Sequence, residues 1–365
     1  MLNQKSDSLL KESRFIKLAY EQAKINLGST GTNPSVGCIV EKNGSVISSA
    51  YTSLKGRPHA EFNALNKNIN FKDSNIYISL EPCSHYGKTP PCTKIIIKNK
   101  IKKVFFSIFD LDKRSKKKSL YKLRKKNIFV KNRINEKYGK KFYESYYLNK
   151  KKKLPYLDAK IAISKDYFTK SSSSKWISNK QSRVIAHLIR SNYDCIMSTS
   201  KSINDDNSEL NCRIEGLEKK SPTVVIIDRN FKLRKNLKII KNKLNRKIYI
   251  LTSKKNKAKE LFFRRKGIKI IKVDKMSSYN DYLHILYLLN KLGISRILLE
   301  SGLNILNFFL KVKMINNLYI FKTNYKLASK GINYDKSNSL KKIKLKNKRV
   351  NVYLNGESLY KIKIN

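Results

Sequence analysis

Cysteine, proline, glycine, tryptophan and acidic residues are all scarce in this chain. Five cysteines among 365 residues are too few for a disulfide scaffold, and a reducing, cytoplasmic setting is expected. Thirteen glycines and seven prolines exclude a collagen-like composition. No apolar run approaches the ~18 residues that a membrane-spanning helix needs. The opening stretch MLNQKSDSLLKESRF carries Asp7 and Glu12 and no continuous apolar segment, so no secretory signal is expected.

The shortage of acid is the most pronounced. Lys+Arg number 80 against 26 Asp+Glu, a formal charge of +54, a balance that ordinarily marks a nucleic-acid partner. Here the cations are spread along the chain, in Lys116-Lys117-Lys118, Lys150 to Lys153, Arg264-Arg265-Lys266 and beyond Lys341. They form no tail or recognisable module. Asn and Ile are abundant too, and these three residue types share AT-rich codons. Codon bias with solvated surface lysines is the preferred reading.

What is present argues for a folded protein. With 40% hydrophobic residues, 15 Phe and 21 Tyr, disorder is excluded, and roughly 150 residues per domain gives about two domains. Leu10, Ile16, Ala19, Ala23 and Leu27 make a helical stripe over residues 9–27. Val36 to Val40 and Ser45 to Tyr51 read as strands joined at Asn43-Gly44, a pair that tolerates positive φ. A helix opens near His59, and Asn75 to Leu80 and Val104 to Phe109 read as further strands. Beyond the basic, aromatic stretch from Tyr138 to Lys153, Leu154-Pro155 marks a candidate boundary. Strands are then expected at residues 157–163, 224–227, 247–251 and 296–299, with helices over 181–190 and 281–292. The alternation is that of an α/β architecture.

The strongest chemical signal is Pro58-His59-Ala60-Glu61, followed by Glu81-Pro82-Cys83 and by Cys92. One imidazole and two thiolates suit Zn²⁺, and three protein ligands leave a fourth position for water. Glu61, two residues from His59, is placed to move the proton between that water and a departing nitrogen. This His-x-Glu…Pro-Cys pattern is the signature of zinc deaminases. His85, His187 and His284 are expected as ordinary non-ligand histidines, although His85 lies inside the metal loop and could support a ligand, and Cys38, Cys195 and Cys212 are expected as packed thiols.

Nucleic-acid deaminases carry two residues between the paired cysteines. Here the segment is Cys-Ser-His-Tyr-Gly-Lys-Thr-Pro-Pro-Cys, from Cys83 to Cys92. Together with Asn33-Pro34-Ser35-Val36-Gly37-Cys38 and Pro58 to Glu61, it closely resembles the bifunctional riboflavin-biosynthesis deaminase/reductase family. The resemblance implies a cytidine-deaminase-like three-layer α/β/α domain over residues 1–150 and a dihydrofolate-reductase-like α/β domain over 151–365. It assigns His59, Cys83 and Cys92 to one zinc ion, Glu61 to proton transfer and Asn33 to the substrate.

The resemblance continues through Ser174-Lys175-Trp176-Ile177-Ser178, Arg190, Ser202 to Asp206, Leu210, Arg213, Val225 to Asp228 and Glu300-Ser301-Gly302. It implies that Ser174, Arg190, Leu210, Arg213 and Glu300 contact a phosphorylated substrate. Ala162, Trp176, Ser202, Asp206, Arg229, Gly302, Leu303 and Asn304 would line an NADPH site. Two arginines suit a phosphate ester, and Gly302, between a strand and a helix, lets backbone approach a phosphate.

The sequence also departs from the family pattern. The Ser-x-Asp-Gly turn is Ser164-Lys165-Asp166-Tyr167, where positive φ would strain Tyr167, and the stretch up to Trp176 is shortened. Ser200 and Lys201 replace small residues, and Asp-Pro-Asn-Pro has become Asp110-Leu111-Asp112-Lys113.

The expected function is deamination of a diaminopyrimidine ribosyl phosphate followed by NADPH-dependent reduction of its ribose. A deaminase with an inactive second domain and a nucleic-acid-editing deaminase are the alternatives. The expected partner is the small-molecule substrate, with no specific nucleic acid and no membrane, and a homo-oligomer is left open. If the lysines reflect codon bias, RNA, DNA and heparin columns should all release the protein at similarly low salt; selective, salt-resistant retention on RNA would overturn that reading.

Overall fold

The computed structural model describes residues 2–242, 246–335 and 338–364, with side chains described from Leu10 onward. The chain divides into two compact units, Met1–Leu154 and Pro155–Asn365.

The first unit opens with α1 (Leu2–Ile25), the hairpin β1 (Gly37–Lys42) and β2 (Ser45–Tyr51), then α2 (Ala60–Leu65) and β3 (Asn75–Leu80). There follow α3 (Cys92–Lys98), β4 (Lys103–Ile108), α4 (Lys118–Arg124), β5 (Phe129–Lys131), α5 (Glu136–Phe142) and α6 (Glu144–Lys152). The sheet order is β2-β1-β3-β4-β5; β1 runs antiparallel to both neighbours, and β3, β4 and β5 run parallel. Asn43 (φ 52°) and Gly44 (φ 88°) close the hairpin in the left-handed conformation their residue types allow.

Side chains alternate across β1. Gly37 lies against α1, where an added Cβ would stand 1.8 Å from the Ala19 carbonyl oxygen. Glu41, on the same face, meets Lys11 of α1 at 3.3 Å. Cys38 and Val40 are fully buried on the opposite face, so helices cover both sides. β3 and β4 carry near-continuous apolar runs and are buried almost throughout, as parallel strands between two helical layers should be.

The second unit contains β6 (Tyr156–Ile163), β7 (Lys170–Ser171), α7 (Lys180–Arg190), β8 (Cys195–Thr199), α8 (Ser200–Asp206), β9 (Thr223–Ile227) and α9 (Lys238–Lys241). It continues through β10 (Ile248–Thr252), α10 (Lys257–Arg265), β11 (Lys269–Lys272), α11 (Tyr279–Lys291), β12 (Arg296–Leu299) and α12 (Leu303–Lys311). Strands β13 (Asn317–Lys322), β14 (Gly331–Ile332) and β15 (Ser358–Lys363) complete it. Eight strands form one sheet in the order β11-β10-β9-β8-β12-β6-β13-β15. All pairs are parallel except β13 with β15. The chain moves outward from β8 to β11 and then returns to insert β12 between β8 and β6. That reversal is a topological switch point at the carboxyl ends of β8, β12 and β6, the position at which α/β sheets bind ligands.

The helix over 279–291 starts two residues earlier than its apolar pattern suggests because Ser278 and Asp281 form a capping box. Tyr167 does adopt positive φ, 69°. The strain is held in place by its surroundings. The Asp166 carboxylate accepts from Ser164 Oγ and from the backbone N–H groups of Leu327 and Ala328. The Tyr167 carbonyl accepts from the side-chain amides of Asn333 and Asn338 at 3.1 and 2.9 Å.

Because the Gly37 contact is with backbone, Gly37→Ala must separate α1 from β1. We expect a loss of about 3 kcal/mol in the stability of the first unit, read as a lowered unfolding temperature; an unchanged transition would refute the close approach.

Candidate active sites

In the first unit, three element termini converge. His59 is the N-cap residue of α2, and Glu61 lies in that helix's first turn. Cys83 follows β3 in the loop that starts at Glu81, and Cys92 is the first residue of α3. One donor atom from each of His59, Cys83 and Cys92 lies within 4.8 Å of the others. His59 Nδ1 is 3.7 Å from Cys83 Sγ and 3.4 Å from Cys92 Sγ. A hydrogen bond from the Cys92 thiol, reinforced by His59 and the Cys92 backbone N–H, pulls the Cys83 thiol well below its ordinary range, against burial. A readily ionised thiol, a second thiol and an imidazole nitrogen form a donor set that fits zinc, with one position left over.

Glu61 is 3% exposed. Burial pushes its carboxyl up to about 7, against the pull of the His59 imidazole, which suits a group that must both accept and release a proton near neutrality. Asn33 donates from Nδ2 to the Gly56 carbonyl at 3.2 Å. Gly56 itself sits at φ 83°, where an added Cβ would stand 2.5 Å from that amide nitrogen. Arg57 donates to Thr89 Oγ1 at 2.8 Å, and its Nη1 lies 3.4 Å from His59 Nε2. Gly56 and Arg57 were not singled out from sequence, because nothing in the motif spacing marks them. A cavity of about 360 Å³ reaches His59 and Cys92, bounded by Pro58, Phe62, Thr89 and Ile95.

The departure at Asp110-Leu111-Asp112-Lys113 is tied down from beneath. The buried Glu81 carboxylate accepts from the backbone N–H groups of Asp110 and Lys117, each at 3.1 Å, and from Ser119 Oγ at 2.6 Å. His85 Nδ1 pairs with Ser115 Oγ at 2.8 Å, so it braces this loop against the metal loop. Cys38, Cys195 and Cys212 are buried free thiols.

In the second unit, Arg190, Leu210, Arg213 and Glu300 come together. Glu300 directly follows β12, and its carboxylate is gripped bidentately by Arg190, Nε to Oε1 at 2.6 Å and Nη2 to Oε2 at 2.9 Å. Burial pushes the Glu300 carboxyl up, but Arg190 and then Lys160 prevail and hold it at about 2. Arg190 Nη1 donates to the Asn211 carbonyl at 3.0 Å. Nε, Nη1 and Nη2 of that guanidinium each make a hydrogen bond within the protein. Arg213, with its side chain 49% exposed, donates from Nη1 to Asn211 Oδ1 at 2.9 Å and to Glu209 Oε2 at 3.4 Å. The Leu210 side chain is buried, and its carbonyl accepts from Arg246 Nη1 at 2.6 Å.

Ser202 links two neighbouring strand ends. Its Oγ accepts from Thr199 Oγ1 at 3.0 Å and from the Gly302 N–H at 3.3 Å, joining the end of β8 to the start of α12. Gly302 is the N-cap of α12, and an added Cβ there would meet nothing closer than Ser202 Oγ at 3.9 Å. This open backbone at a nine-residue helix N-terminus fits a dinucleotide phosphate. Leu303 is buried and Asn304 exposed, so Leu303 contributes only its backbone. Asp206 feels the charges of Lys170, Lys175 and Lys160, and Ala162 packs beside Phe321 on the neighbouring strand. Trp176 is 50% exposed, flanked by Lys175 and Arg183 at 5.4 and 5.1 Å; it is not a core residue. Ser174 makes local bonds to Trp176. Arg229 lies past β9, its carbonyl held by Ser253; no contact seen here joins Ser174 or Arg229 to Ser202 or Glu300 among the described residues.

The two sites define a zinc-type pyrimidine deaminase joined to a reductase. Residues 10–108 match the cytidine and deoxycytidylate deaminase zinc-binding region, and residues 155–355 match the RibD C-terminal domain. The chain belongs to the RibD family of riboflavin-biosynthesis proteins. It is 30% identical to the riboflavin biosynthesis protein RibD of Aquifex aeolicus, over 85% of this chain and 86% of that one. Identity to the Escherichia coli RibD is 24%, over 86% and 87%. A Thermotoga maritima deaminase/reductase structure superposes with a TM-score of 0.81 at 27% identity, covering 98% of this chain and 99% of that one. The family uses zinc in its first unit and NADPH in its second, and no helix among the described residues is long and apolar enough to cross a membrane.

Burial, with Arg190 and Arg213 adding to it, pushes the His187 imidazole down to about 4. The unfolded chain then binds the extra proton between the ordinary value near 6.5 and 4. Stability from this group is complete above about pH 6.5 and is lost as pH falls through that window. The second unit should therefore unfold at lower temperature at pH 4.5 than at pH 7 by more in the parent than in His187→Gln; an equal drop would overturn this assignment.

Proposed function

We propose that this protein hydrolytically deaminates a diaminopyrimidine ribosyl phosphate and then reduces its ribose to a ribityl chain, working in the cytoplasm on a small molecule rather than on nucleic acid. The observation that carries the reading is the coexistence of the His59, Cys83 and Cys92 donor set beside Glu61 with the Arg190–Glu300 pair at the second unit's switch point. In the first unit His59 Nδ1 and the two sulfurs would hold zinc, which when bound supplies a Lewis acid that activates water. The Glu61 carboxyl takes a proton at one oxygen and returns it to the leaving amino group, which departs as ammonia. Asn33, braced by Gly56, presents its remaining amide atoms to the substrate.

In the second unit the N-terminus of α12 and Ser202 would hold the phosphate of NADPH, whose chemistry is hydride delivery. Glu300, fixed by Arg190, lies where the substrate's polar atoms are to be oriented. Arg213 has donors free for the phosphate ester. Tyr167 does not argue for an inactive second unit, because its turn is closed by hydrogen bonds.

Mass spectrometry of the zinc-loaded protein with the diaminopyrimidine ribosyl phosphate tests both steps. We expect exchange of an amino group for oxygen without NADPH, and a gain of two hydrogens once it is added. Glu61→Gln should lower the deamination rate by about 10³-fold and leave reduction of pre-deaminated substrate intact. Loss of neither activity in that variant, or no deamination by the parent with zinc bound, would overturn the reading.

A further inference from the structure

The segment Glu209–Arg213 belongs to no helix or strand. Its carbonyls must still be satisfied where they are buried, and side chains do this in place of backbone ladders. Arg190 Nη1 donates to the Asn211 carbonyl, and His187 Nδ1 lies 2.8 Å from the same oxygen. Ser221 Oγ bonds the Cys212 N–H at 3.1 Å and its carbonyl at 3.4 Å. The two preceding carbonyls are both taken by Arg246, Nη1 to Leu210 at 2.6 Å and Nη2 to Glu209. Nη1 also reaches the Pro222 carbonyl at 3.4 Å.

Arg246 is 8% exposed, and its Nε is buried without a hydrogen-bond partner among the described residues. Burial and the neighbouring Arg190 charge both disfavour its ionised form, with Glu209 opposing them. A guanidinium is an expensive group to bury for packing alone. What it does in this position is geometric: a planar fork takes two successive carbonyls at once. Leu210, between them, is held at φ 51°, a conformation that a β- or γ-branched residue adopts only when its surroundings impose it. That twist sets the direction in which Asn211, Cys212 and Arg213 leave.

We infer that Arg246 is a positioning residue of the reductase site, clamping the Glu209–Leu210 backbone so that Arg213 meets the substrate's phosphate. The inference rests on the reading above that Arg213 contacts that phosphate. In this role Arg246 acts through the backbone it holds, and a lysine offers a single ammonium nitrogen in place of the planar two-nitrogen fork.

The test uses the full chain, pre-deaminated pyrimidine ribosyl phosphate and initial rates of NADPH consumption. Arg246→Met and Arg246→Lys should each raise KM for the phosphorylated substrate about 10- to 100-fold. KM for NADPH and kcat should stay near parental values, which a general loss of folding would not permit. Arg213→Ala should raise the same KM, and Arg246→Met combined with it should add little further. An unchanged substrate KM in Arg246→Lys, or full additivity with Arg213→Ala, would overturn the clamp while leaving the phosphate reading standing. An unchanged KM in Arg213→Ala would overturn the phosphate reading, and the clamp with it. Should Arg246→Met lose NADPH binding, Arg246→Lys decides alone: a raised substrate KM at parental NADPH KM supports the clamp.

Discussion

A buried carboxylate at the carboxyl end of a parallel strand is the constraint on which both sites depend. Glu81 directly follows β3 and Glu300 directly follows β12. Neither can stay in the interior without donors, and each recruits them from a distant part of the chain. Glu81 draws in the loop from Asp110 to Ser119, and Glu300 draws in Arg190 from α7. In both cases satisfying one charge also fixes the backbone next to a reactive group. The thiol of Cys83 lies two residues beyond Glu81, and Gly302 two residues beyond Glu300.

The same principle explains why the sequence tolerates its departures from the family pattern. Loops that lack a preferred turn residue are held here by side chains that bond to backbone. Asp166 caps Leu327 and Ala328 while Asn333 and Asn338 hold the Tyr167 carbonyl. Such bonds are individually worth only about 1 kcal/mol, but several acting on one turn outweigh the cost of about 1–2 kcal/mol for left-handed backbone at a non-glycine residue. The lysine-rich loop after β4 is ordered in the same way, from Glu81 below and through Ser115 and His85 at its side.

Much of this was legible in the residues. The hairpin at Asn43-Gly44 and the apolar runs of β3, β4, β9 and β10 follow from periodicity and turn chemistry, and the His59, Glu61, Cys83 and Cys92 constellation follows from residue type and order. Less legible were contacts between segments far apart in the chain. Nothing near Arg190 says that its guanidinium is committed to Glu300, 110 residues later, and nothing near Trp176 says that its ring stays half exposed between two cations. Gly56 and Arg57 escaped notice because their importance comes from Asn33 and Thr89 folding against them.

The amino-acid sequence by itself determined the chemistry available: an imidazole, two thiols and a carboxyl in an order that zinc deamination requires, and a second α/β unit with a glycine at a strand-to-helix turn. Those are properties of local spacing, and local spacing survives in one dimension. Only the tertiary structure decided which charged groups are free to meet a substrate. That depends on which partners burial brings together, and burial is a property of the packed fold rather than of any single segment.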